Sequence, residues 1–249
     1  MTLLIGLLVV SLSVLLALAG LMLVRRLVPS TFFESRPEVS YTIYSTIAIV
    51  YGVTVGFAIL LVWQELNEAE RTTHQEATSV EALYRLADQL PESDRNRIQE
   101  FDRTYAQVVV EEEWPLMAKG QTSSRAQSAA GELRRSIQEF EPQTTAESAL
   151  YSQMLTKIDD LYENRENRLL ETQEGVPPFV WVVLLITGII TVAFTYLFDL
   201  KSSGVHVMRV ATLTVAVSLS LYTVSVVEYP FSGDVQVGPE AFEMVLARI

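Results

Sequence analysis

The chain has 249 residues, 49% hydrophobic and 19% charged, with a mean hydropathy of +0.26 and a formal net charge of −12. That apolar share exceeds what a soluble domain of this size carries and points to a bilayer. The lack of cysteine excludes disulfides, thiol catalysis and thiolate metal sites, and with only His74 and His206 an imidazole cluster is excluded too.

The first uncharged stretch, residues 2–24, has no basic segment ahead of it and is followed by Arg25 and Arg26. It reads as a retained membrane helix rather than a cleaved signal. Residues 41–63, 176–198 and 210–227 are also free of charge. Each stretch reaches, or nearly reaches, the roughly 20 residues a helix needs to cross hydrocarbon. The last is the shortest and borrows 206–209, with Arg209 snorkelling to the interface. No Asp, Glu, Lys or Arg sits at mid-membrane depth in these stretches, which counts against a pump or a proton-coupled transporter.

In the second stretch, Gly52 and Gly56 have the spacing that lets helix backbones approach closely, and packing is the first reading for them. In the third, Thr187, Thr191 and Thr195 recur at steps of four, and in the fourth Thr214, Ser218 and Ser225 nearly do. Two readings of these hydroxyls stay open: helix packing, or the lining of a hydrated path.

The links after the first and third stretches hold Arg25, Arg26, Arg36, Lys201 and Arg209, and the positive-inside rule makes them cytoplasmic. The expected location is therefore the cell (inner) membrane, multi-pass, with residues 64–175 extracytoplasmic.

Residues 64–175 carry 23 acidic against 12 basic side chains. Such a surface argues against nucleic acid and anionic lipid as partners, and its plainest use is solubility. From Leu66 through Ala69, Thr73, Val80, Leu83 and Ala87 to Leu90, an apolar stripe recurs at steps of three and four. The spacing predicts that the second membrane helix continues outward as an amphipathic helix, on the order of 40 Å long. A helix carrying Ile98, Phe101, Tyr105 and Val108 is expected to run to about Glu113, where Trp114 and Pro115 break or redirect it. Ala126, Ala130, Leu133, Ile137 and Phe140 mark a third helix, and Thr144 with Glu147 a capping box opening a fourth along Tyr151, Met154, Ile158 and Leu161. The sum is a four-helix bundle.

Arg165 and Arg168 continue the apolar face of the fourth helix, and arginines on a core-facing stripe must find carboxylates. Glu65, Glu68, Glu70 and Glu76 on the first bundle helix are the expected partners. The resulting ion-pair cluster reads first as a clamp between two helices and second as an anion-selective vestibule. Glu111, Glu112 and Glu113 could be offered as a calcium site, but consecutive α-helical residues point about 100° apart and do not converge, so the expected reading is a solvated face. No metal-ligand, nucleotide-binding or hydrolase motif occurs, so neither catalytic residues nor a cofactor or metal are expected.

The tail after Glu228 opens as a turn with Pro230, Gly233, Gly238 and Pro239, then ends in an apolar segment, 242–249. Its place, on the membrane interface or on the bundle, is open. The expected fold is an all-α membrane protein: transmembrane helices 1 and 2 in 1–63, a water-exposed helical bundle in 64–175, helices 3 and 4 in 176–227, and a tail in 228–249.

Several pieces, in order, resemble a bacterial membrane-protein family known as domain of unknown function 4239, the bestrophin-like proteins. They are Tyr51-Gly52 with Gly56-Phe57, Glu68-Ala69-Glu70, Glu76-Ala77, 83–87, Glu113-Trp114-Pro115, Asn164-Arg165 with Arg168-Leu169, and Pro230-Phe231-Ser232-Gly233. The resemblance implies kinship with bestrophins, oligomeric anion channels with four membrane helices per subunit. The chain departs from them in lacking their aromatic neck motif and acidic calcium clasp. The expected function is an oligomeric ion (anion) channel in the lipid bilayer, built as a homo-oligomer with inorganic ions as partners. The alternative is a non-catalytic membrane sensor or scaffold with an extracytoplasmic bundle.

Overall fold

The computed structural model describes residues 2–27, 37–172, 175–197 and 203–249. Arg36 and Lys201, used above for orientation, lie outside the described residues. The elements in chain order are α1 (Thr2–Leu27), α2 (Pro37–Ala87), α3 (Glu92–Val108), a π-helical turn (Val109–Glu113), α4 (Trp114–Met117), α5 (Ser124–Gln138), α6 (Thr145–Glu171), α7 (Pro178–Phe194) with a 3-10 turn (Thr195–Leu197), α8 (Ser203–Val227) and α9 (Glu240–Leu246). No strand occurs among the described residues. The chain divides into two compact units, Met1–Trp63 with Gly175–Glu228, and Gln64–Glu174 with Tyr229–Ile249.

Helices long and apolar enough to cross a membrane occupy the segments Leu4–Leu27, Tyr41–Ala87, Pro178–Leu197 and Gly204–Val227, of which the second runs past Trp63 into the second unit. Proline opens α7 at its first turn, where the missing N–H costs nothing. Small residues set the helix spacing here. A Cβ on Gly6 would collide with the Tyr222 ring, one on Gly20 would lie 3.0 Å from the Tyr196 hydroxyl, and one on Gly188 would lie 3.2 Å from Val217 and 3.3 Å from Tyr51. His206 near the start of α8 ties three segments, its Nε2 2.9 Å from the Thr195 carbonyl and its Nδ1 3.1 Å from Arg25 Nη2.

The second unit is a helical bundle around one apolar core. The expected stripes supply it: Ala69, Val80, Leu83 and Ala87 of α2, Ile98, Tyr105 and Val108 of α3, Leu133 and Ile137 of α5, and Met154, Ile158 and Leu161 of α6 are buried together. The capping box at Thr144 is formed in both directions, with the Glu147 N–H donating to Thr144 Oγ1 at 3.1 Å and Glu147 Oε2 accepting from the Thr144 N–H at 3.2 Å.

Three features correct the sequence expectation or decide between readings it left open. Trp114 and Pro115 do not break the helix; α3 passes through the π turn into α4. Proline lacks the N–H for the carbonyl four residues back and crowds it, and the wider π turn relieves both faults. The Trp114 N–H accordingly reaches back to the Val109 carbonyl, five residues away. Second, Glu113 is not on a solvated face but fully buried. Third, the tail packs on the bundle: Phe242, Val245 and Ala241 of α9 enter its core. A loop closed by the Val237 N–H on the Pro230 carbonyl at 2.8 Å leads into α9, and it turns at Gly233, whose φ of +98° disfavours any side chain.

Candidate functional site

Arg165 and Arg168 lie on the buried face of α6, one and two turns beyond Leu161. Arg168 has no exposed surface, and a guanidinium there is tolerable only with its charge and donors satisfied. Its Nε donates to Glu76 Oε2 at 2.6 Å, and its Nη2 donates to Glu76 Oε1 at 2.9 Å and to Glu113 Oε2 at 2.8 Å. Arg165 forks onto the same Glu113, with Nη2 2.6 Å from Oε1 and Nε 3.3 Å from Oε2, and its Nη1 donates to Gln127 Oε1. The Tyr105 hydroxyl donates to Glu76 Oε1. Two guanidinia thus face two carboxylates, and each carboxylate oxygen accepts at least one hydrogen bond.

Aromatic side chains close the site. The Arg168 guanidinium stands 5.1 Å from the Trp114 ring centre and 5.8 Å from that of Phe242. Trp114 meets Phe231 and Phe242 edge-on, with ring centres 5.9 and 6.0 Å apart, and its indole N–H donates to the Val237 carbonyl at 3.3 Å. Burial opposes the charged form of Glu113, but the guanidinia of Arg168 and Arg165 outweigh it and hold this carboxyl below the usual carboxylate range. Burial, seconded by the Glu76 charge, raises the Tyr105 phenol well above its ordinary value and keeps it a donor. Arg168 is pushed up despite its desolvation, chiefly by Glu76, so it stays charged at any accessible pH.

Among the expected glutamates, Glu76 joins the arginines, while Glu65, Glu68 and Glu70 form no part of the cluster described. Glu68 pairs with Arg71 one turn along α2, Glu70 is exposed beside a different cleft, and Glu65 is half-buried about three turns from Glu76. The second carboxylate is Glu113, delivered by the π turn. The sequence signal for it was Pro115, since a proline inside a helical run disturbs the helix before it and turns those residues off ideal α-helical angles. Tyr105 was visible as a stripe position, though not its hydrogen bond. A further acid in the core, Asp102, has both carboxylate oxygens buried without a hydrogen-bond partner. Burial drives its carboxyl well above the ordinary range, with Arg103 opposing.

In the membrane unit, Thr187 donates to the Val183 carbonyl at 2.7 Å, Thr191 to Thr187 at 2.7 Å, Thr195 to Val192 at 2.5 Å, Thr214 to Val210 at 2.8 Å and Ser225 to Tyr222 at 2.8 Å. Thr191, Thr195, Thr214 and Ser218 are buried. Gly52 and Gly56 are exposed, and a Cβ on either would meet nothing within 4 Å.

A family model described as the bestrophin-like domain matches residues 11–242. The chain belongs to the bestrophin-like family. Its fold is that of a bacterial bestrophin homologue from Klebsiella pneumoniae. One variant of that protein superposes with a TM-score of 0.74 at 12% identity, over 98% of this chain and 96% of that one. Another structure of the homologue, phased on zinc, gives 0.72 at 13% identity over 97% and 96%. A crystal structure of a variant membrane protein gives 0.72 at 12% identity over 98% and 96%. At such identity the likeness carries the fold alone. No curated protein matches the sequence. Several of the bestrophin-like pieces found along the sequence meet in the bundle: Glu76, Glu113 with Trp114, Arg165, Arg168, and Pro230 to Gly233 belong to the cluster or to the loop docked on it.

Proposed function

We propose that the protein is one subunit of a homo-oligomeric bestrophin-like ion channel, anion-selective as its kinship suggests, in the inner membrane with residues 64–175 extracytoplasmic. The observation that carries this reading is an uncovered face of α2. Ile49, Val53, Phe57 and Leu60 are 51–68% exposed, and the exposed Gly52 and Gly56 lie between them. Glycines offer lipid almost no side-chain contact but let another helix come close, so this face suits a second copy of the chain better than it suits acyl chains. The hydroxyls of Thr191, Thr195 and Thr214 are tied to carbonyls of their own helices, and they support packing inside the protomer. On this reading the conduction path runs where copies meet along α2.

The Arg–Glu cluster is a structural clamp, since it is electrically neutral and Arg168, Glu76 and Glu113 have no exposed surface for a passing ion. The purified protein, reconstituted in liposomes, is expected to carry halide in preference to potassium, and Gly56→Leu should alter both the flux and the subunit number. A protein that stays monomeric in mild detergent and passes neither ion sinks the channel reading in favour of a sensor or scaffold. Protection of the 64–175 domain from protease after the outer barrier is opened overturns the orientation.

A further inference from the structure

Where the C-terminal segment crosses α2 in the bundle unit there is a cleft of about 340 Å³, lined on one side by Leu66, Glu70, Thr73 and His74 and on the other by residues that include Glu240 and Met244. Two carboxylates face it, and neither lysine nor arginine lines it. Thr73 supplies an independent sign. It is 1% exposed, and its hydroxyl has no hydrogen-bond partner. Elsewhere in this unit the helical threonines Thr78, Thr104, Thr156 and Thr172 donate to the carbonyl four residues back, at 2.7–3.1 Å. The neighbouring Thr72 forgoes this local bond but donates to Glu171 Oε1 at 3.2 Å, whereas Thr73 finds neither kind of acceptor and carries an unmet polar group, which costs free energy unless a ligand meets it.

We propose that this cleft binds a small organic ammonium ion, with its N–H groups on the Glu70 and Glu240 carboxylates and the Thr73 hydroxyl, and its alkyl part against Leu66 and Met244. Charge sets the sign of the ligand and the two apolar side chains set its body. The number of donors separates it from a metal: among the described residues no three His, Asp or Glu side chains converge closely enough to hold one. A cleft of this volume stands at the lower end of small-molecule sites, which suits a short amine. The proposal does not depend on the channel reading, because every lining residue belongs to the bundle unit.

The test is calorimetric titration of the full chain in non-ionic detergent with n-propylammonium chloride, beside potassium chloride and calcium chloride at matched ionic strength. Saturable binding of propylammonium is expected, weakened at least tenfold in Glu240→Gln and Glu70→Gln. Thr73→Val should weaken it several-fold while raising the unfolding midpoint of the free protein, because the unmet hydroxyl is gone. If Thr73→Val fails to fold, the two glutamine variants decide alone. Heat no greater than the potassium control, equal affinity in wild type and glutamine variants, or tighter binding of calcium than of propylammonium overturns the proposal. Equal affinity would mark general attraction to an acidic surface, and tighter calcium binding would mark a metal site.

Discussion

Replacing Arg168 by methionine removes the guanidinium and keeps a flexible apolar side chain of similar length. Glu76 then loses both of its ion-pair hydrogen bonds and keeps only Tyr105, while Glu113 keeps Arg165. Removing one partner of a fully buried pair costs about 3–5 kcal/mol, because the remaining charge has neither water nor a counter-ion. Arg168 and Glu76 are both without exposed surface, so no solvent discount applies. The loss corresponds to a roughly hundred- to several-thousand-fold rise in the opening equilibrium of the bundle. Hydrogen exchange of the full chain in detergent, read on peptides from α6 and the second half of α2, measures it directly. The double variant Glu76→Gln with Arg168→Met removes both charges and leaves Glu113 on Arg165. It should recover roughly 0.5–3 kcal/mol relative to the single change. An Arg168→Met protein within about 1 kcal/mol of wild type, or a double variant no more stable than the single one, would refute the clamp. Acid gives a second check. A carboxyl held below its ordinary range contributes stability that is present above the unfolded value and lost as pH falls through the folded one, so Glu113→Gln should flatten the acid limb of bundle stability.

Asp102 has the opposite sign: raised in the fold, it stabilises only as the neutral acid, and stability falls as pH climbs from the ordinary aspartate value, about 3.9, through the folded one. Asp102→Asn should remove that decline in a series of denaturant titrations at rising pH; a slope unchanged from wild type contradicts the burial argument. Trp114→Phe deletes the donor to Val237 and shrinks the platform under Arg168, and it should cost about 1–2 kcal/mol. Faster exchange at 237–246 than at α5 would locate that loss in the tail. Gly188→Leu drives a side chain toward Val217 and Tyr51 and should lower the thermal midpoint of the membrane unit. Gly56→Leu meets nothing inside the protomer and should leave the protomer's unfolding free energy within about 0.5 kcal/mol of wild type while changing the subunit number on native mass measurement.

The four membrane helices and the bundle stripes were legible along the chain because both are local properties. Twenty uncharged residues or a 3.6-residue apolar period fixes a helix and its buried face whatever else surrounds it. The capping box at Thr144 is a four-residue signal of the same kind. Even the demand for carboxylates opposite Arg165 and Arg168 could be read there, since two arginines on a core stripe announce a debt of charge. Which carboxylate answers it was decided only in three dimensions. Reasoning from ideal α-helical angles put Glu113 in solvent, and the π turn that accommodates Pro115 carries it into the core between both arginines. Burial of Asp102, the docking of the tail on Trp114 and the uncovered glycines of α2 belong to the same class. Each depends on residues far apart in sequence, and short-range periodicity carries no information about them.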